Sequence, residues 1–194
     1  MLDRMTRTAL TGIAAAGLII GLSGCGQPAQ ATASKSTPRT VHISMQIKSG
    51  TLKGQENPYF TNAAWKTVGG GQLQKGDTVD LTIVSYDDGP ASAPPGFGKV
   101  TGTVGGKETV DGKTVTSVPM ASISHTFTIS EIGVNIPIPA APTGGSITVT
   151  AQIHLTKSGT FSWQCFAPCG TGTSGWDGAM STDNWMKGYI TVQS

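Results

Sequence analysis

Alternation of apolar and polar residues at a period of two constrains this chain more than any other feature. Val41, Ile43, Met45 and Ile47 alternate with His42, Ser44 and Gln46, so an extended segment there has one apolar side and one wet side. The same period returns with Val79, Leu81 and Ile83 inside residues 72–85, and with Ile123, His125, Phe127 and Ile129 inside residues 122–129. Shorter runs follow at 147–155, 160–164 and 188–192. Turn-forming groups separate them: Lys75-Gly76-Asp77, Asp87-Asp88-Gly89-Pro90, Pro94-Pro95-Gly96, Gly144-Gly145 and Lys157-Ser158-Gly159. No stretch carries a convincing helical period. The pattern predicts an all-β Greek-key sandwich of seven or so short strands.

Several segments are read differently. Tyr59, Phe60 and Trp65 are expected in a loop or short element that caps one end of the core, and Pro137, Pro139 and Pro142 are expected to break the stretch after residue 129. Residues 86–121 form a long excursion, in which 99–104 and 108–118 are expected to pair around Gly105-Gly106-Lys107. His42 and His154 stand among alternating apolar residues and are expected to face solvent.

Composition narrows the function. At 194 residues the chain can bury a core of ordinary size. Its 12% charged residues, against a usual quarter or so, argue against a coiled coil or a polyelectrolyte tail. With 13 Lys+Arg against 11 Asp+Glu there is no basic stripe, so no nucleic-acid partner is expected. No Ser/His/Asp arrangement, paired-carboxylate motif or phosphate loop stands out, which points to a non-enzymatic role.

The N-terminus reads as an address. Arg4 and Arg7 precede an apolar run, Ala9 to Leu22, that is short and Gly/Ala-rich for a membrane span. It ends in Leu22-Ser23-Gly24-Cys25, which resembles the lipobox of bacterial lipoproteins. That resemblance implies removal of residues 1–24 as a signal peptide and a lipid on Cys25. Residues 25–40 would then be a flexible linker to a domain at 41–194, on the extracytoplasmic face of a bacterial cell membrane. Cys165 and Cys169 remain, four positions apart. Thiols so close in an oxidising compartment either pair or hold a metal.

The order of the remaining chemical groups is informative. His125 lies in a central strand, the two cysteines follow the penultimate strand, and Met186 precedes the last strand. Cupredoxins assemble a copper site in this order. The reason is softness: thiolate and thioether suit Cu(I), and imidazole suits both oxidation states. Residues 123–192 resemble the copper (CuA) domain of cytochrome c oxidase subunit II more specifically. The likeness rests on His125-Thr126-Phe127, Ser130-Glu131-Ile132-Gly133-Val134, Ser158-Gly159-Thr160-Phe161, Cys165 with Cys169-Gly170, and Met186.

The resemblance implies copper held by His125, Cys165, Cys169 and Met186. It also implies single-electron transfer in or near a respiratory chain, with a cytochrome or terminal oxidase as redox partner. Two positions depart from the family: Asp183 stands where the second His belongs, and Ala167 replaces the Glu between the cysteines. The loop from Cys169 to Met186 is also longer and Gly-rich, and no His follows Cys169. Three readings therefore stay open. One is a copper site completed by Asp183, Met180 or His42. Another is a metal-free binding or assembly module with a Cys165–Cys169 disulfide, and the last is a Cu(I) carrier.

Overall fold

The computed structural model describes residues 39–194. The leader, Cys25 and the linker up to residue 38 lie outside the described residues. Along the chain run β1 (Thr40–Leu52), β2 (Gln55–Phe60), β3 (Leu73–Gln74), β4 (Thr78–Ser85), β5 (Glu108–Val110) and β6 (Lys113–Val115). These are followed by β7 (Ile123–Ile129), β8 (Val134–Pro139), β9 (Ile147–His154), β10 (Gly159–Gln164) and β11 (Lys187–Gln193). They form a six-stranded sheet in the order β2-β1-β4-β9-β5-β6 and a five-stranded sheet in the order β3-β11-β10-β7-β8. Each sheet is mixed: β1 runs parallel to β4 and β3 parallel to β11, with the other pairs antiparallel. Among the described residues no helix is long and apolar enough to cross a membrane.

The alternation read from the sequence sets which side of each strand faces the core. Ile43, Met45, Ile47, Val79, Leu81, Ile83, Val149 and Ile153 are all buried between the sheets. From the facing sheet come Phe127, Trp163, Ile190 and Val192. Aromatic rings knit the centre: Phe60 meets Trp163 edge-on at 5.1 Å, and Phe127 stacks on Trp163 at 5.2 Å and on Trp65 at 5.3 Å. Aromatic rings bury large apolar areas, so this packing contributes heavily to the core. Two polar strand residues, His42 and His154, are exposed as the alternation predicts.

Four segments differ from expectation. Tyr59 and Phe60 belong to a strand, β2, and residues 72–85 divide into β3 and β4, which lie in different sheets. Pro137 and Pro139 do not break the chain but lie within β8. They are accommodated because β8 is an edge strand: the Asn135 N–H points away from β7 to the Thr101 carbonyl at 3.0 Å, and positions 137 and 139 share that outward side. A residue whose nitrogen faces outward from the sheet has no ladder bond to lose. Pro58 occupies the edge strand β2 at the opposite end of the other sheet.

The excursion forms a hairpin, but its turn is Asp111-Gly112 rather than Gly105-Gly106-Lys107. Asp111 at φ 46° and Gly112 at φ 80° supply the left-handed pair that suits a two-residue hairpin turn. Val104–Gly106 forms a short 3-10 turn instead. Expected pairing survives at the base of the excursion, where Lys99 bridges Ser117 and Val118 N–H bonds the Gly98 carbonyl at 2.8 Å. Asn135 fastens this base to the sandwich, its amide donating to the carbonyls of Phe97 at 2.9 Å and Lys99 at 2.7 Å.

Glu108, at the start of β5, is only 1% exposed. Burial pushes its carboxyl up to about 8 from an ordinary 4.5. A raised folded-state value means that the unfolded chain gives up this proton first as pH rises. Its contribution to stability is therefore fully present below pH 4.5 and is lost progressively up to pH 8. Glu108→Gln is expected to be more stable than the natural chain at pH 8.5 by on the order of 3–5 kcal/mol. Near pH 4.5 the two should unfold at similar urea concentrations; urea titrations at both pH values read the difference.

Candidate metal centre

Every residue of β7 is buried, although four of its seven side chains are polar. Those polar groups need partners from elsewhere, and the site is built from those partners. Ser124 donates to the Gly89 carbonyl at 2.9 Å, and the Thr126 hydroxyl accepts the Phe166 N–H at 2.8 Å. Thr128 donates to Asn135 at 2.7 Å. His125, fully buried, places Nε2 2.9 Å from an Asp87 carboxylate oxygen.

Asp87 follows β4 in the opposite sheet, so this pair ties the two sheets together at one end of the sandwich. Its other carboxylate oxygen accepts the Gly89 N–H at 2.9 Å. The turn Asp87-Asp88-Gly89, which the sequence marks only as a strand stop, thus aims a carboxylate at the imidazole. Asp87 is the functional residue that sequence reasoning missed. An Asx-type turn was legible there, but its partner lies 38 positions away.

With Nε2 engaged, His125 Nδ1 is buried and has no hydrogen-bond partner among the described residues. One imidazole nitrogen, the Cys165 sulfur and the Cys169 sulfur lie within 4.8 Å of one another. The two thiols are free, with 3.6 Å between sulfurs. Cys165 accepts the Thr126 N–H at 3.4 Å, and its own N–H donates to the Met186 carbonyl at 2.8 Å. The Ala167 carbonyl accepts the Cys169 N–H at 2.8 Å and lies 3.4 Å from the Cys165 sulfur.

Met180 comes from the 3-10 turn Gly178–Ser181, and its sulfur lies 3.4 Å from that of Cys169. This turn is held by Asn57, whose side-chain oxygen accepts the Ala179 N–H at 3.0 Å. The Gly-rich loop before it folds back tightly. Gly175 sits at φ 70°, and a Cβ there would stand 2.3 Å from the Pro168 carbonyl oxygen. Glycine at this position is a requirement of close approach.

The other sequence candidates are placed as follows. Met186 is buried among the core residues. Asp183 is 56% exposed and faces Lys187 at 3.4 Å, and His42 lies on the outer side of β1, 3.5 Å from Asp80. His125, Cys165 and Cys169 are brought together, Met180 touches Cys169 through its sulfur, and Met186 adjoins Cys165 through its backbone carbonyl. Phe60 stands edge-on to the imidazole at 6.5 Å, and Phe97 stacks on Phe166 at 4.6 Å beside the cysteine loop.

Charge within the cluster is strongly coupled. Burial alone would push the imidazole down, but the Asp87 carboxylate and the Cys165 sulfur outweigh it and raise His125 to about 9. Burial likewise opposes ionisation of Cys165, yet the Cys169 thiol and the His125 imidazolium hold it well below an ordinary thiol. Cys169 is pushed upward by its hydrogen bond to Cys165 and by burial. Asp87, despite partial burial, is held below the usual carboxylate range by His125. These directions favour an imidazolium beside the Cys165 thiolate and the Asp87 carboxylate, with the Cys169 thiol protonated. In reduced, metal-free protein the His125 ring is expected to titrate near pH 9 by NMR. Asp87→Asn should move that titration downward; an unchanged midpoint would show that Asp87 does not stabilise the imidazolium.

No family model matches the chain. No curated protein matches it. Solved structures similar to it include rusticyanin from Thiobacillus ferrooxidans, at 21% identity over 81% of this chain and 79% of that chain, with a TM-score of 0.35. A structure of the copper protein rusticyanin matches at 17% identity over 81% of this chain and 80% of that chain, TM-score 0.36. Reduced rusticyanin by NMR matches at 21% identity over 79% and 77%, TM-score 0.39. At these scores the likeness transfers no residue role to this chain, and the sandwich stands on its own strand pairing.

Proposed function

We propose that this protein is a cupredoxin-type copper protein that transfers single electrons, with His125, Cys165, Cys169 and Met180 as the metal-binding side chains. The observation that carries the reading is the gathering of a buried imidazole nitrogen and two free thiols within 4.8 Å of one another. One imidazole, two thiols and a thioether form a soft set suited to copper. Copper held there supplies reversible one-electron chemistry.

The chain's own residues do the rest. Asp87 engages Nε2 and orients the ring, the carboxylate–histidine arrangement that fixes ring orientation in metal sites. It also makes the imidazole a stronger base and electron donor. Thr126 and the Met186 carbonyl restrain Cys165 through their backbone bonds, and a restrained donor set keeps reorganisation small on electron transfer. Loading requires His125 and Cys169 to release their protons, so uptake of metal should liberate acid. We assign the thioether role to Met180 on its 3.4 Å sulfur contact with Cys169; the order of groups in the sequence points to Met186.

The lipobox-like Cys25 adds a proposed setting: tethering by lipid to the extracytoplasmic side of a bacterial membrane, near a respiratory chain whose cytochrome or terminal oxidase would exchange electrons with the site. The missing second His favours one competing reading, a metal-free module with Cys165 and Cys169 paired as a disulfide.

Adding copper to the reduced full-length chain and recording visible and EPR spectra decides between them. Intense thiolate-to-copper charge transfer is expected, abolished in Cys165→Ser and in His125→Ala. Met180→Leu should shift the bands and weaken copper retention roughly tenfold, the scale of a lost supporting contact at a metal site, while Met186→Leu should leave the spectrum in place. A colourless protein whose two thiols react only after reduction would overturn the copper reading.

A further inference from the structure

The hairpin β5–β6 is joined to the rest of the domain at its base and at its tip, and the two junctions differ. The base is fixed by the Asn135 amide, by the Val100 N–H on the Thr116 carbonyl at 2.9 Å, and by the Val118 N–H on the Gly98 carbonyl at 2.8 Å. Toward the tip, strand pairing with β9 is confined to Thr109 opposite Thr150 and Val110 opposite Val149. Asp111 adds a clasp: its N–H donates to the Thr148 carbonyl and its carboxylate accepts the Thr148 N–H, both at 2.8 Å. On its other side β9 pairs with β4 along its whole length. An open cavity of about 380 Å³ lies along the seam, with Lys107, Thr109 and Thr114 on the hairpin side and Thr82, Thr150 and Gln152 on the sheet side. A seam with such a gap forgoes part of the close packing that holds the other strands.

Glu108 stands at this seam, and both its carboxylate oxygens are buried without a hydrogen-bond partner among the described residues. The ionisable groups around it leave it uncompensated. Lys107 is its chain neighbour, and Asp111 and Lys113 belong to the same hairpin. Asp80 of β4 accepts from Gln152 at 2.7 Å and faces His42 of β1 at 3.5 Å, while His154 of β9 lies 3.4 Å from the Thr78 hydroxyl. β8 and the Val104–Gly106 turn carry no ionisable side chain. A protonated carboxyl can stay inside, but an ionised one has no partner there and is driven toward water. Freeing the hairpin tip from β9 breaks far fewer bonds than opening the sandwich. We infer that the β5–β6 hairpin is a pH-operated latch, which swings away from β9 as Glu108 gives up its proton while the base of the excursion stays in place. The carboxyl sits at about 8 in the closed form against an ordinary 4.5 once exposed. The closed form is therefore favoured at low pH, and the open one gains about tenfold in relative population per pH unit between those two values. Opening leaves β9 with an unpaired strand edge. The latch is independent of the copper reading.

The test is amide hydrogen exchange of the reduced full-length chain, followed residue by residue by NMR at pH 5.5 and pH 7.5 and expressed as protection relative to an unstructured peptide at the same pH. Protection of the seam amides, Asp111 and Thr148, is expected to fall roughly 100-fold between the two pH values. At both it should lie below that of the base amides, Val100 and Val118. Glu108→Gln, which keeps the shape and removes the charge, should abolish the fall, and Glu108→Met should do the same without any polar atom to bury. Seam amides as protected as base amides, seam protection that does not change with pH in the natural chain, or an undiminished fall in both variants would each overturn the inference.

Discussion

Complete burial of a half-polar strand is the constraint on which the rest of this molecule depends. β7 carries Ser124, His125, Thr126 and Thr128 into the interior, and none can be left without a partner at tolerable cost. Each partner comes from a different element: Gly89 and Asp87 after β4, Phe166 in the cysteine loop, Asn135 on β8. The turn after β4, the cysteine loop and the base of the excursion are therefore all placed by one strand. The donor set assembles at that end because β7 draws those segments to it.

Asp87 makes the site more than a set of ligands brought together. Ion pairing across the sandwich fixes the orientation of the His125 ring beside the two sulfurs. The imidazolium also favours the thiolate form of Cys165 in the metal-free cluster. Buried ion pairs are weak contributors to stability by themselves, since desolvation offsets most of the attraction. Their presence here is better explained by preparing a binding site than by holding the fold, which the Phe60–Phe127–Trp163 packing does.

Much of the fold was legible in the sequence, and the exceptions have physical causes. Period-two alternation located β1, β4, β7, β9, β10 and β11, because burial of one side of a strand leaves a pattern that needs no partner to be visible. It could not show β2 or β8, whose prolines normally count against a strand, since whether a missing N–H matters depends on which side of the strand has a neighbour. It also put the turn of the excursion at Gly105-Gly106-Lys107, whereas Asp111-Gly112 closes a hairpin that adds to the edge of β9.

His125, Cys165 and Cys169 could be picked from order and spacing because soft donors are rare and carry their chemistry as residue types. Sequence alone also determined the all-β class, the low charge and the closeness of two thiols. Only the tertiary structure chose Met180 over Asp183 and His42 as the group beside the cysteines, aimed Asp87 at the imidazole, and left Glu108 buried beside a cavity. Those outcomes are contacts between residues tens of positions apart. Distances of that kind are set by how the sheets pack, and no local pattern encodes them.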